Sequence, residues 1–236
     1  MKSDFNFTIF NYALRRGLKN PIVVIVNFFL PVGIILVAFS DENPLGAERG
    51  YYLLAMALML GAYFMARSIQ QDKLDGTVIR ILAGPVTMRG YLVQNFFSTM
   101  VPMAGIIAAS IVFGAIIHGW GIGFAVQLAV CYLFLAATSV GLAFAWSCIF
   151  KDKEASFAVF SVFLTAVASL GGLLLPLELL PGPLPYISAL LPAHWAARAI
   201  EALLHDGARG MYMFSLLAMT LFATAFLIYG SKRRII

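Results

Sequence analysis

Charge is scarce in this sequence. Asp, Glu, Lys and Arg make up 11% of its 236 residues and hydrophobic side chains 61%, whereas soluble domains carry about 25% charged and about 45–50% apolar residues. So few solvated groups cannot cover a water-soluble globule, and that class is excluded. Cysteine is nearly absent too. Cys131 and Cys148 stand seventeen residues apart in one apolar run, about 25 Å along a helix, too far to pair within one chain. They read as small apolar residues rather than redox groups or metal ligands. No GxxxxGK[ST] loop occurs, so the chain has no recognisable cradle for ATP phosphates. The three histidines lie outside the apolar runs, and no Ser-His pair carries a catalytic signature, which argues against an intramembrane enzyme. No basic-aromatic motif points to nucleic acid.

What the chain has is long apolar runs. About 20 such residues cross about 30 Å of hydrocarbon, and six runs qualify, at about 22–39, 51–68, 91–117, 122–149, 155–176 and 211–230. The expected fold is an all-α integral membrane protein, with residues 1–236 forming one transmembrane domain. The first run lies too deep in the chain, and lacks a following small-residue cleavage site, to read as a signal peptide. Alternating the loops puts thirteen of the sixteen Lys and Arg on one side and only Arg49, Arg198 and Arg209 on the other. By the positive-inside rule both termini are expected in the cytoplasm, with the chain in the cell membrane. The net charge of +5 then reflects topology and attraction to anionic lipid. Ahead of the first run, residues 4–20 place Phe7, Phe10, Leu14 and Leu18 near one helical face, with Arg15, Arg16 and Lys19 within reach of headgroups. This predicts an interfacial helix.

Between the second and third runs lies the polar stretch Arg67–Tyr91. Within a segment 70–86, the spacing of Val78, Ile81 and Leu82 predicts a short amphipathic helix. Thr77 is placed to cap it, Gly84 to supply a left-handed stop and Pro85 to forbid continuation. Asp72 and Asp75 precede the helix and Arg80 projects from its polar side. On residues alone, this is either a docking element for a soluble partner or a plain connector between spans.

A second unusual stretch, Gly171–His205, carries Pro176, Pro181, Pro183, Pro185 and Pro192. No straight span survives that proline density, yet the stretch is too apolar for an ordinary aqueous loop. Broken backbone at membrane depth is tolerated where protein or a water-filled cavity satisfies it, so short re-entrant helices are expected over 177–205. After Pro192, His194, Arg198, Glu201 and His205 recur on one helical face. A wet surface helix fits them better than a metal site, because Arg198 opposes a cation and a third ligand is missing. Asn27, Gln127 and Thr165 are candidates to line a path, although Asn27 is better read as bonding a neighbouring helix. The small residues Ala137, Gly141 and Ala145 form a ridge for close helix packing. The spans lack convincing intramembrane charge, which weighs against an ion-coupled secondary carrier.

Asp75, Gly76, Thr77, Leu82 and Pro85 resemble the coupling segment of the ABC-2 family of transporter permeases, and Gly171, Gly172, Pro176, Pro181, Pro185 and Pro192 resemble that family's second signature. Many relatives have Glu where this chain has Asp75. The two motifs stand in the family's order among the six runs. The resemblance implies an exporter permease with no catalytic site of its own, a cytoplasmic coupling helix between spans two and three, and a separate ATPase subunit that holds the ATP and Mg. It further implies a second permease copy or a homologous sister permease. A hydrophobic or amphipathic cargo (drug, antibiotic or lipid-like) is expected, with polysaccharide or glycolipid export as the alternative.

Overall fold

The computed structural model describes residues 7–19, 21–39, 48–84, 86–150, 152–205 and 209–232. Pro85, Lys151, most of the acidic loop after the first run and the basic tail lie outside the described residues, as do the side chains of Phe7, Leu18, Lys19 and Glu178. Of the described residues 86% are helical, with no strand among them. In order, the helices are α1 (Phe7–Lys19), α2 (Pro21–Val37), α3 (Arg49–Leu74), α4 (Thr77–Ala83), α5 (Met88–His118), α6 (Ile122–Ser147), α7 (Lys153–Leu170), α8 (Leu184–Ser188), α9 (Pro192–Leu204) and α10 (Arg209–Lys232), with a 3-10 turn at Leu177–Leu179.

Among the described residues four helices, α3, α5, α6 and α10, are long and apolar enough to cross a membrane, and shorter apolar helices occupy Ile25–Val37 and Glu154–Leu170. The α6 helix is the central column: 72% of its spanning window is buried, against 28% for α5 and 33% for α10. Its small-residue ridge has the expected use. A side chain at Gly141 would meet the Ala223 carbonyl at 3.1 Å and Phe226 Cβ at 3.3 Å, so α10 lies against α6 backbone to backbone. Thr138 donates to the Met219 carbonyl at 2.9 Å and Tyr212 to the Gln127 carbonyl at 2.7 Å, tying the same pair of helices. On the other flank, Tyr63 of α3 stacks on Phe160 of α7 at 3.9 Å between ring centroids.

Two helix ends differ from the sequence expectation. The α3 helix runs six residues past position 68, to Leu74, because its polar final turns find partners in the fold. The α7 helix stops at Leu170 rather than near 176. Gly172 then takes φ +92, and a side chain at Gly171 would sit 2.6 Å from Ala193 Cβ. The chain doubles back against the start of α9, a path that only glycine permits at both positions.

Asn27 of α2 is buried. It donates to the Val23 carbonyl at 2.9 Å and to the Gly61 carbonyl of α3 at 3.4 Å, so it joins two helices. Its side chain fills the space that a Cβ at Gly61 would need. Gly61→Ala is therefore expected to lower stability by about 1–3 kcal/mol through overpacking. Asn27→Ala in the same chain should return part of that loss, giving a non-additive double-mutant cycle in thermal unfolding of the detergent-purified protein.

Candidate functional site

The last turns of α3, the short α4 and the first turns of α5 meet at one end of the bundle, and α1 lies across them. Asp72, in the last turn of α3, is 6% exposed. A carboxylate in that position needs neutralising partners. Arg16 of α1 donates to its Oδ1 and forms an ion pair, and the Tyr91 hydroxyl of α5 donates to its Oδ2 at 2.7 Å. One side chain thus joins three helices. Neighbouring turns of α3 bind the connection between α6 and α7: Gln70 donates to the carbonyls of Phe150 and Asp152 at 3.5 and 3.3 Å, and Lys73 donates to the Cys148 carbonyl at 3.3 Å. Arg67 lies 3.5 Å from Glu154 of α7. Arg16 is therefore committed to Asp72 rather than extended toward headgroups, and Asp72 is a charge buried at a helix end, where the sequence suggested a loop acid.

The α4 helix starts from Gly76 at φ +67, with no side-chain cap, and ends at Gly84 with extended geometry (φ −83, ψ −166). The cap is thus Gly76 rather than Thr77, which is the first helical residue, and Gly84 supplies no left-handed stop. The physical reason lies in the preceding chain. Asp75 closes α3 at φ −78, ψ 0, and reversing direction from there requires a left-handed residue. Asp75 is exposed and accepts from Gln71 at 2.6 Å, while Arg80 donates to the Asp75 carbonyl at 3.1 Å.

Val78 is fully buried, and Ile81 and Leu82 are half-buried against the core, so the expected apolar face points inward. Ile79, however, is 64% exposed and Leu74 47%. Two large apolar side chains are thus exposed near Asp75 and Arg80, Leu74 at the end of α3 and Ile79 on α4. Ile79 was not singled out from the sequence, although its position out of phase with Val78 and Leu82 signals an outward-facing apolar residue. Beneath α4, Ile9, Tyr12, Ala13, Ile81, Tyr91 and Asn95 enclose a pocket of about 220 Å³ that has Asp72 in its wall.

At the far end, the prolines take distinct places. Pro176 precedes the 3-10 turn, Pro185 lies in the first turn of α8, and Pro192 opens α9 and is buried, the helix position where a missing N–H costs nothing. Pro181 is exposed. A pocket of about 620 Å³ opens here between Arg49 and Tyr52 of α3, the Pro176–Leu177 turn, and Arg198 and Glu201 of α9. Arg198 and Glu201 pair at 2.9 Å. His194 does not share their exposed face: it is buried and its Nδ1 lies 2.9 Å from Ser188 Oγ. Because that hydroxyl donates to the Pro185 carbonyl at 2.7 Å, it accepts from a His194 Nδ1–H, a clip between α8 and α9 rather than a nucleophile and base. His118 bonds the Ile35 carbonyl at 2.9 Å and stacks on Trp120. Among the described residues no group of three or more potential ligands converges on a metal position. Of the path candidates, Asn27 is buried between α2 and α3, whereas Gln127 and Thr165 are exposed, Thr165 donating to its own helix at the Ser161 carbonyl, 2.9 Å away.

Among the described residues, four helices of spanning length, with α3, α5 and α10 packed against α6, define a multi-pass membrane protein. The family model described as ABC-2 family transporter protein matches residues 31–232, and the chain belongs to that family: it is an ABC-type permease. Its α1 helix precedes the matched residues. A comparison with curated proteins finds no match.

Burial, and secondarily the Arg198 charge, lower the His194 pKa below its ordinary value. The unfolded chain therefore binds the proton more readily than the native one, and stability rises with pH across that window. The Nδ1–H donor survives protonation, so the loss comes from burying a charged ring: the stability that neutral His194 contributes should be full above pH about 6.5 and should fall as the pH drops below it. Melting temperatures across pH 5–8 should drop on the acid side for the unmodified protein, and the drop should be smaller for His194→Gln.

Proposed function

We propose that this chain is the membrane subunit of an ATP-driven exporter, that a separate ATP-hydrolysing subunit seats on α4, and that the cargo is hydrophobic or amphipathic, of drug, antibiotic or lipid-like character. The observation that carries the reading is the two-sided build of α4, with Val78 fully buried and the adjacent Ile79 64% exposed. An apolar side chain held in water at the tip of an anchored helix is the form of a docking ridge. Asp75 and Arg80 supply polar contacts at its rim.

In this reading the two shorter apolar helices join the four long ones to make six spans, and the bias of thirteen basic residues against three puts α4 and both termini in the cytoplasm. Gly171–His205 then lies on the outer side, where the 620 Å³ pocket, with both charged and apolar walls, suits the exit of an amphipathic molecule. The lightly buried α5 and α10 leave faces for lipid and for a second permease, either a copy or a sister chain. ATP and Mg are held by the partner ATPase and not by this chain.

Gentle purification of the tagged chain from its native membrane tests the reading. An ATPase subunit should co-purify in equal amount, and Ile79→Asp should sever that association while leaving membrane insertion intact. Gly76→Ala, which forces a side chain into the left-handed region at a cost of about 1–2 kcal/mol, should weaken coupling without abolishing insertion. A partner-free chain, prepared under conditions that preserve subunits, would overturn the proposal.

A further inference from the structure

The Arg16–Asp72–Tyr91 junction lies at the point where any load on α4 enters the bundle. Asp72 is three residues before Asp75, which closes α3 ahead of α4, and it borders the same pocket as Ile81 of α4. Its partners come from 56 residues before it and 19 after it, so no local chain connection would otherwise hold α1 and α5 to the end of α3. The arrangement is an uneconomical way to gain stability. Two further guanidinium nitrogens, Arg16 Nε and Nη2, are buried without a hydrogen-bond partner, and buried ion pairs replaced by apolar residues of similar volume often leave stability unchanged or raised. What a directional, three-cornered contact supplies and an oily one does not is a fixed register between helices.

We infer that Arg16, Asp72 and Tyr91 are positioning residues for energy coupling: they clamp α1, α3 and α5 into one block, so that displacement of α4 moves all three together. The inference rests on the reading of α4 as the docking helix. The pocket of about 220 Å³ between α1, α4 and α5 gives Ile81 room to move toward this junction, where the clamp receives the displacement. A merely structural contact would be replaceable by any packing of equal stability. A positioning contact would not.

The test uses the full chain with its ATPase partner in proteoliposomes and reads distances between spin labels. One label is placed on α4 at Ala83→Cys or on α1 at Asn11→Cys, and the reference is on α10 at Ile228→Cys; all three sites are exposed. In a background otherwise free of cysteine, distances are compared in the nucleotide-free and ADP-vanadate-trapped states. With the junction intact, both the α4 and the α1 distances should shift on trapping. In Arg16→Met/Asp72→Leu/Tyr91→Phe, which leaves no buried hydroxyl without its acceptor and whose melting temperature should stay close to that of the parent, the α4 shift should persist and the α1 shift should be lost. The charge-reversed pair Arg16→Asp/Asp72→Arg should recover part of the α1 shift. Retention of the full α1 shift in Arg16→Met/Asp72→Leu/Tyr91→Phe would overturn the inference while leaving the docking role of α4 standing. Absence of any α4 shift in the unmodified complex would remove the docking reading, and this inference with it.

Discussion

A carboxylate taken out of water at the end of an apolar helix has to be met by hydrogen bonds and an opposite charge, and the architecture around α4 follows from how Asp72 is met. Arg16 reaches it from α1 and Tyr91 from α5. Desolvation of such a pair offsets most of its Coulombic gain, yet removing one partner strands the other at about 3–5 kcal/mol. The contact is therefore nearly neutral in net stability and severe in its geometric demand. It sets how far α1 lies along α3 and how α5 is rotated about its axis. Gln70 and Lys73, on the neighbouring turns of α3, tie the α6–α7 connection to the same few residues. This end of the bundle is organised by directional polar contacts converging on one helix terminus.

The opposite end is held by different physics. Phe39, Tyr51, His118, Trp120 and Phe124 form a run of ring contacts at 4.7–6.2 Å between centroids, and Gly171 and Gly172 let the chain pass against α9 at a separation no side chain would allow. Ring contacts of this kind, mostly T-shaped or tilted, tolerate small sliding, because dispersion varies smoothly with offset. An ion pair with a shared hydroxyl does not. The two ends therefore differ in what chiefly holds them: an ion pair and a shared hydroxyl at the α4 end, ring contacts and close backbone packing at the far end.

The apolar runs were legible because a span of about 20 residues is a long, redundant signal, and the inward face of α4 was legible because Val78, Ile81 and Leu82 follow helical spacing. What the sequence concealed were long-range partnerships. Nothing in the polar run Gln70–Lys73 distinguishes a buried Asp72 from a solvated one, since its cation lies 56 residues away. For the same reason α3 outlasts its apolar stretch: its polar turns are satisfied by groups that local pattern cannot reveal. His194 misled in the opposite direction. Helical periodicity placed it with Arg198 and Glu201, but its Nδ1 has a hydroxyl to bond in α8, and that contact turns it inward. The cap of α4 was misassigned because residue preference favours Thr, whereas the decisive constraint was the direction in which α3 ends.

The construction of α4 decides how a force applied to it would travel. Seven residues make a rod of about 10 Å, too short to be helical by itself in water, so the helix exists because Val78 anchors it in the core. Glycines flank it on both sides. A side chain at Gly76 would meet nothing within 4 Å, and at Gly84 only the Ile81 carbonyl at 3.3 Å, so neither junction is braced by packing. A load on Ile79 is therefore poorly transmitted along the backbone, where it meets an unbraced glycine in either direction. It passes sideways instead, through Val78, Ile81 and Leu82, into the packed end of α3, where close packing turns a small displacement into a collective one. Lateral transmission of this kind moves several helices only if α3 is already joined to its neighbours, and Asp72 joins it to α1 and α5.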